Sequence, residues 1–311
     1  MNSPSNNDHE FSVEAQEVTP ATMAETRPMV WSVRRELWEN RSIYLAPLIV
    51  AAVVLFATLL GTFGLPRKMR TLPNLTPARQ HAVVARPFQM APAPIMLASF
   101  IVGMFFSLDA LYGERRARSI LFWKSMPVSD RTTVLAKFLI PVAVLPVIAL
   151  VLSAIVQVVL LFASTIVLVG NRINPSPLWT EFRFFQGVPI MVYGLTVHAL
   201  WFAPIYAWLL LLSAWVRRAP FLWAVMPPFL LFAVEHIVSK SFRPFSAFVR
   251  YRFTGAMTEA FSVEGAGGNI DRYTQLSPGR FLTSPGLWVG LLFAAAFLAV
   301  AIRLRRNREP I

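Results

Sequence analysis

The sequence predicts an all-α polytopic membrane protein with six transmembrane helices, an N-terminal amphipathic elbow helix, and both termini on the inner side. Three observations carry that prediction. Apolar residues come in long blocks rather than at the period of a soluble helix or strand. Charged residues make up only 14% of the chain and hydrophobic ones 56%, whereas a soluble domain sits near one quarter charged. Finally, Lys and Arg crowd alternate gaps between the blocks, as they do on the cytosolic side of membrane proteins.

Residues 1–26 carry five acids and no Lys or Arg. They lack the basic start and apolar run of a secretory signal and read as a disordered cytosolic tail. Residues 27–311 form the membrane domain. Its first segment, "WSVRRELWENRSIY" from Trp31 to Tyr44, places Trp31, Trp38 and Leu45 seven residues apart, on one helical face. That suits a helix lying in the headgroup layer and bending into the first span.

A span needs about 20 mostly apolar residues. Six blocks qualify, at 43–64, 94–111, 138–169, 188–216, 221–238 and 287–302. The third and fourth are longer than a bilayer requires; tilt or a kink absorbs the excess, with Pro141 and Pro146 as the expected places in the third. With the N-terminus inside, Lys and Arg are roughly twice as dense on the inner flanks as in the outer loops 65–93, 171–187 and 239–286. Arg67, Lys68 and Arg70 lie against that trend. The last outer segment is long for a connection without structure of its own; its "SFRPFSAFVRYRF" run suits an interfacial position, while "GAGGN" suits disorder.

Composition also excludes functions. The net charge of +13 is accounted for by the flanks of the spans, so the lipid membrane is the expected partner and nucleic acid is not. There are no cysteines, which removes thiol nucleophiles and thiolate metal sites. His9, His81, His198 and His236 show no metal-ligand spacing, and no metal is expected.

The densest charge in the chain falls between spans two and three, in "YGERRARSILFWKSMPVSDRT" from Tyr112 to Thr132. Glu114 and Arg118 stand four apart in the favourable acid-first order. Pro127 disfavours helix at Met126, and Ser129 can cap a new helix running through Lys137 into span three. The expectation is helix, break and helix at the inner surface, a shape that presents a mixed face to a soluble partner.

These residues resemble the first cytoplasmic loop of ABC-2-type transporter permeases. The resemblance rests on Glu114-Arg115 leaving span two, Ser119-Ile120-Leu121, the Ser125-Met126-Pro127-Val128-Ser129 turn, and Lys137 entering span three. The six spans, the elbow and the long outer segment before the last span match the class layout. The distinctive match covers about 25 residues; the basic first outer loop and the acidic tail match no motif of the class.

The resemblance implies a permease of the bacterial inner membrane that works with a separate ABC ATP-binding subunit and a second permease copy or paralogue. The chain contains no GxxxxGK[ST] phosphate loop, so ATP and magnesium would sit on the partner and no cofactor on this chain, which would itself be no enzyme. On that view Glu114, Arg115, Arg116 and Arg118 transmit the partner's closure, and Phe122, Trp123, Met126 and Pro127 dock it. An ordinary basic flank with an interfacial Trp accounts for the same residues without a partner.

Asp109, Gln157, His198, Glu235 and His236 lie in or at the edges of apolar blocks, where ionisable residues are functional candidates. Asp109 suits pairing with the arginines that follow it. His198, beside "HALWFAPIYAW", suits core packing ahead of ligand binding. For Glu235 and His236, gating and interfacial placement stand level. A membrane-embedded enzyme is the competing class, with a non-transporting anchor or sensor as a third. The enzyme would need a constellation at membrane depth, and Glu235-His236 is the one close acid–His pair.

Overall fold

A computed structural model describes residues 28–74, 76–117, 129–182, 184–238, 243–262 and 273–307. Helix accounts for 90% of these residues and no strand is present among them, so the fold is all-α. Six helical stretches are long and apolar enough to cross a membrane: Ser42–Thr62, Arg79–Arg116, Asp130–Gly170, Ser176–Trp215, Pro220–Val238 and Pro285–Asn307. Each contains most or all of one apolar block read from the sequence.

The elbow is α1 (Pro28–Glu39), followed by span one, α2 (Ser42–Thr62). α1 buries Ser32 and Glu36 and leaves Trp31 and Trp38 exposed, with the Arg34 guanidinium 4.6 Å from the Trp38 ring centroid and 5.5 Å from that of Trp31. The seven-residue spacing thus makes an outward aromatic face, as an interfacial helix requires. On α2, Ile43, Pro47 and Ala51 face inward while Leu48, Val53, Phe56 and Leu60 face out, toward lipid.

The first outer loop is helical: α3 (Leu65–Thr71) and α4 (Pro77–Met90) lead into α5 (Pro92–Asp109). With α9 (Ser176–Glu181) they cap the outer end of the bundle, where Phe88 stacks on Phe182 at 4.4 Å. The basic residues Arg67, Lys68 and Arg70 project from that cap rather than from a loose loop.

Spans two and three meet span four at the bundle centre. Span three comprises α7 (Asp130–Leu139), a π-helical turn at Ile140–Val144, and α8 (Leu145–Gly170). The turn falls at Pro141, which lacks the amide needed to continue an α-helical ladder. A Cβ on Gly103 of α5 would lie 3.1 Å from both Pro141 Cβ and Tyr206 Cε1. Glycine lets the three segments approach this closely without crowding, the device by which helices associate in lipid. Span four is α10 (Phe184–Trp215), span five α11 (Pro220–Val238) and span six α14 (Pro285–Asn307); α10 and α14 form the most extensive pair.

The last outer segment is also largely ordered. It contains α12 (Pro244–Ala260) and α13 (Pro278–Thr283), joined through an antiparallel bridge between Phe261 and Leu276. The aromatic–basic run therefore forms a 17-residue helix, and the "GAGGN" run lies outside the described residues.

Candidate functional site

At the inner end, four chain segments bring charged side chains into one buried cluster. α1 supplies Arg35 and Glu36. α6 (Tyr112–Arg116), set off from α5 by a turn at Ala110–Leu111, supplies Glu114. α7 supplies Asp130 and Lys137, and the last turns of α14 supply Arg305. Lys137 Nζ lies 2.8 Å from Glu36 Oε1 and 3.1 Å from Glu114 Oε1. Arg35 Nη2 reaches the same two carboxylates at 2.6 and 3.4 Å. Arg305 donates to Glu114 Oε2 through Nη1, and its Nε lies 3.0 Å from Asp130 Oδ1.

Among the described residues, three acids face three bases in this cluster. Glu36, Glu114, Lys137 and Arg305 are each less than a tenth exposed. Charges so placed must be paired, because removing an ion from water costs several kcal/mol. Glu114 is the hub: its two oxygens accept from three bases on three other helices.

Local structure fixes each member. Ser129 caps α7, its Oγ accepting from the Thr132 amide at 3.1 Å, as its position before the new helix predicts. The break before α6 leaves the amides of Leu111 and Tyr112 without helical acceptors, and Ser213 Oγ accepts both at 2.9 and 2.8 Å. Arg115 in turn donates to the carbonyls of Ala214, at 2.8 Å, and Val216. A cation there satisfies the orphan carbonyls at the end of α10 and suits its dipole. The turn joining spans four and five places Ala219 at φ 50°.

Glu36, Glu39, Asp109, Glu114 and Lys137, with Val102 and Phe105 of α5, line a cavity of about 580 Å³ beside the cluster. Burial and the neighbouring Glu36 raise the Glu39 carboxyl above its ordinary value of 4.5, against the opposing pull of Arg35. Among the described residues, no group of three or more His, Asp or Glu is arranged to hold a metal ion.

The predicted residues thus divide. Glu114 and Arg115 are buried in helix-to-helix contacts, while Arg116 is exposed. Asp109 is exposed; its carboxylate lies over Gly113 rather than against an arginine. Arg118, Phe122, Trp123, Met126 and Pro127 lie outside the described residues.

Gln157 donates from Nε2 to the Phe88 carbonyl at 3.0 Å. That carbonyl would receive the amide of residue 92 in an unbroken helix, but Pro92 has none. His198 Nε2 lies 3.2 Å from Tyr206 Oη among the rings of Phe100 and Phe202. Glu235 accepts from the amides of Phe245 and Ser246, at 2.6 and 2.8 Å, and so caps α12 from the neighbouring span. His236 stacks at long range on Phe232, so the adjacent acid–His pair diverges.

Sequence reasoning missed Arg35 and Arg305 as partners of Glu114, and Glu36 and Asp130 as the acids that share those bases and Lys137. Glu36 carried a signal: it shares a helical face with Ser32, opposite the Trp face. It also missed the outer hub at Arg252. That guanidinium lies 4.8 Å from the Trp201 ring centroid and donates to the carbonyls of Trp201 and Gly286, while Trp201 Nε1 donates to the Arg252 carbonyl at 2.7 Å. Burial lowers the Arg252 pKa to about 10, which still leaves it charged at neutral pH.

No protein-family model matches the chain, and no curated protein matches it.

Proposed function

We propose that this chain is the membrane permease subunit of an ABC-2-type transporter. It would move a substrate across a bacterial inner membrane, powered by a separate ATP-binding subunit that docks on the 112–132 loop. ATP and magnesium belong to that subunit. A second permease copy or paralogue completes the assembly, and the sparsely packed α11, whose apolar side chains are mostly exposed, offers surface for it.

The observation that carries this reading is the position of Glu114. It stands at the start of the loop that resembles the family and bonds to α1, α7 and α14 at once. A push on the loop is therefore felt by the elbow, span three and span six together. Coupling requires only that the loop bind its partner differently in two arrangements of these helices. Glu114 and Arg115 act as positioning residues beneath the surface, and the docking contacts fall to Arg116, Arg118, Phe122, Trp123, Met126 and Pro127.

The test is purification of the tagged chain in mild detergent from its native cells. A co-purifying ATPase with vanadate-sensitive turnover is the expected result. Trp123→Ala should reduce the yield of the complex, and Glu114→Gln should preserve the complex while lowering turnover. Absence of any ATPase, or wild-type yield and turnover in both variants, would sink this assignment.

A further inference from the structure

We propose that the groove between α3 and α4, at the outer end of spans one and two, binds the headgroup of an anionic phospholipid. It is a cavity of about 460 Å³ lined by the polar residues Lys68, Thr71 and Arg86 and by the apolar residues Val83, Pro87 and Met90. Each helix contributes one face: Lys68 and Thr71 stand three apart on α3, and Val83, Arg86, Pro87 and Met90 follow the helical repeat on α4. Lys68, Arg86 and Met90 are exposed, so charge and apolar surface are both open to a ligand.

The charge balance calls for an anion. Residues 40–108 contain no Asp or Glu, and Arg67, Lys68, Arg70, Arg79 and Arg86 all fall in the first outer loop. All five are exposed, and none forms an ion pair among the described residues. Over the whole chain, the three outer loops carry thirteen bases against four acids, and one of those acids, Glu259, already faces Arg280. The acids are too few to neutralise that side wherever they lie. Bases flanking spans normally gather at the inner surface, so topology alone does not account for five of them here.

Depth identifies the anion. α5 covers Pro92–Asp109, about 26 Å at 1.5 Å per residue, close to the apolar thickness of a bilayer. Arg86 precedes Pro92 by six residues, and Lys68 follows the end of span one at Thr62 by six. Six residues of helix rise about 9 Å, which puts both bases at the level of the lipid headgroups. There the guanidinium fork and the ammonium are suited to a phosphodiester, and Pro87 and Met90 to the start of the acyl chains. A soluble phosphate or an acidic protein segment would meet the same bases and leave that apolar surface unused. The site needs neither an ATPase nor a second permease; only its assignment to the outer leaflet rests on the inner placement of both termini.

The test uses the full chain in mixed micelles of a neutral detergent with dansyl-labelled phosphatidylglycerol, whose binding is read as energy transfer from the tryptophans. Trp179, on α9 of the same cap, serves as a donor. Unlabelled phosphatidylglycerol should displace the probe, whereas phosphatidylcholine with the same acyl chains should not. Glycerol phosphate and inorganic phosphate, even in large excess, should not displace it either. Lys68→Gln and Arg86→Gln should each weaken binding about fivefold, and about twenty-fivefold together. Met90→Gln should weaken it as well. Arg250→Gln, which removes the same charge from α12 on the same side, should leave it unchanged. Equal displacement by phosphatidylcholine, or wild-type affinity in the double variant, overturns the site. Displacement by the soluble phosphates overturns the lipid as its ligand. None of these readings depends on an ATPase, so the fate of the permease proposal and of this site are decided separately.

Discussion

The two ends of the bundle are held by different chemistry. At the inner end, four segments distant in sequence meet through buried ions, with Glu114, Lys137 and Arg305 at the centre. At the outer end, α12 is fixed by an arginine on backbone carbonyls, a tryptophan donating to a carbonyl, and a carboxylate capping amides. Backbone acceptors have fixed positions. Ion pairs on separate helices can be re-formed with a neighbour when those helices shift, because Glu36 and Glu114 each already have more than one base within reach. Shared ion pairs hold the inner end, and hydrogen bonds to backbone groups hold the outer end.

The largest effect expected from breaking that contrast is at the hub. Glu114→Ala leaves Lys137 and Arg305 buried without their shared acceptor and should cost about 3–5 kcal/mol, read as a loss of thermal stability in detergent. A sharper version replaces Glu114, Lys137 and Arg305 together by Met. Arg35 stays paired with Glu36, Asp130 loses its base but is partly open to water, and stability should return to near wild type, because apolar replacement of buried ions is often neutral. Recovery of stability without recovery of ATP turnover would identify the charges with partner exchange. If the triple variant is as unstable as the single one, the cluster is plain scaffolding.

At the outer end the expected failure is steric. A Cβ on Gly255 would lie 2.7 Å from Trp201 Cζ2, in a ring that is fully buried. Gly255→Leu should cost about 1–3 kcal/mol through overpacking. Its effect should be insensitive to salt, whereas a charge-exposing variant of the inner cluster should respond to ionic strength wherever water enters. Smaller again is Gln157→Leu, which removes the donor that replaces the missing amide of Pro92. About 0.6–2 kcal/mol is expected, as for other hydrogen bonds between membrane helices. A change below that range would mean that the Phe88 carbonyl finds another donor.

The same contrast governs what could be read from the sequence. All six spans were legible because hydropathy in long blocks needs no knowledge of partners. The elbow was legible from the spacing of Trp31 and Trp38, an irregularity in span three from Pro141 though not its π-helical form, and the α7 cap from Ser129. The helices of the outer loops were not expected, because their mixed composition carries neither a span nor a clean amphipathic period. Among site residues, Glu114 stood out through its local setting, but its partners at positions 35, 137 and 305 are separated by up to 191 residues from it. Such pairing is a property of tertiary placement. Gln157 and Glu235 drew notice as polar residues at membrane depth, yet their roles depend on which backbone groups a proline or a helix start leaves orphaned nearby.

The smallest effect lies on Glu39, at the edge where the inner cluster meets solvent. Its carboxyl titrates above 4.5 in the folded chain, chiefly because burial disfavours the charged form. The folded state therefore holds this proton to a higher pH than the unfolded chain does. Within the window between the unfolded value and the raised folded one, the folded state binds more protons, so stability falls as pH rises and is restored as pH is lowered. Glu39→Gln, which mimics the protonated form at all pH values, should flatten that segment of the thermal-stability profile and raise stability slightly above it. Thermal-stability profiles of the wild type and Glu39→Gln from pH 4 to 7 make the measurement. An unchanged profile in Glu39→Gln would mean that this carboxylate is solvated as an ordinary surface acid and contributes nothing to the electrostatics of the inner end.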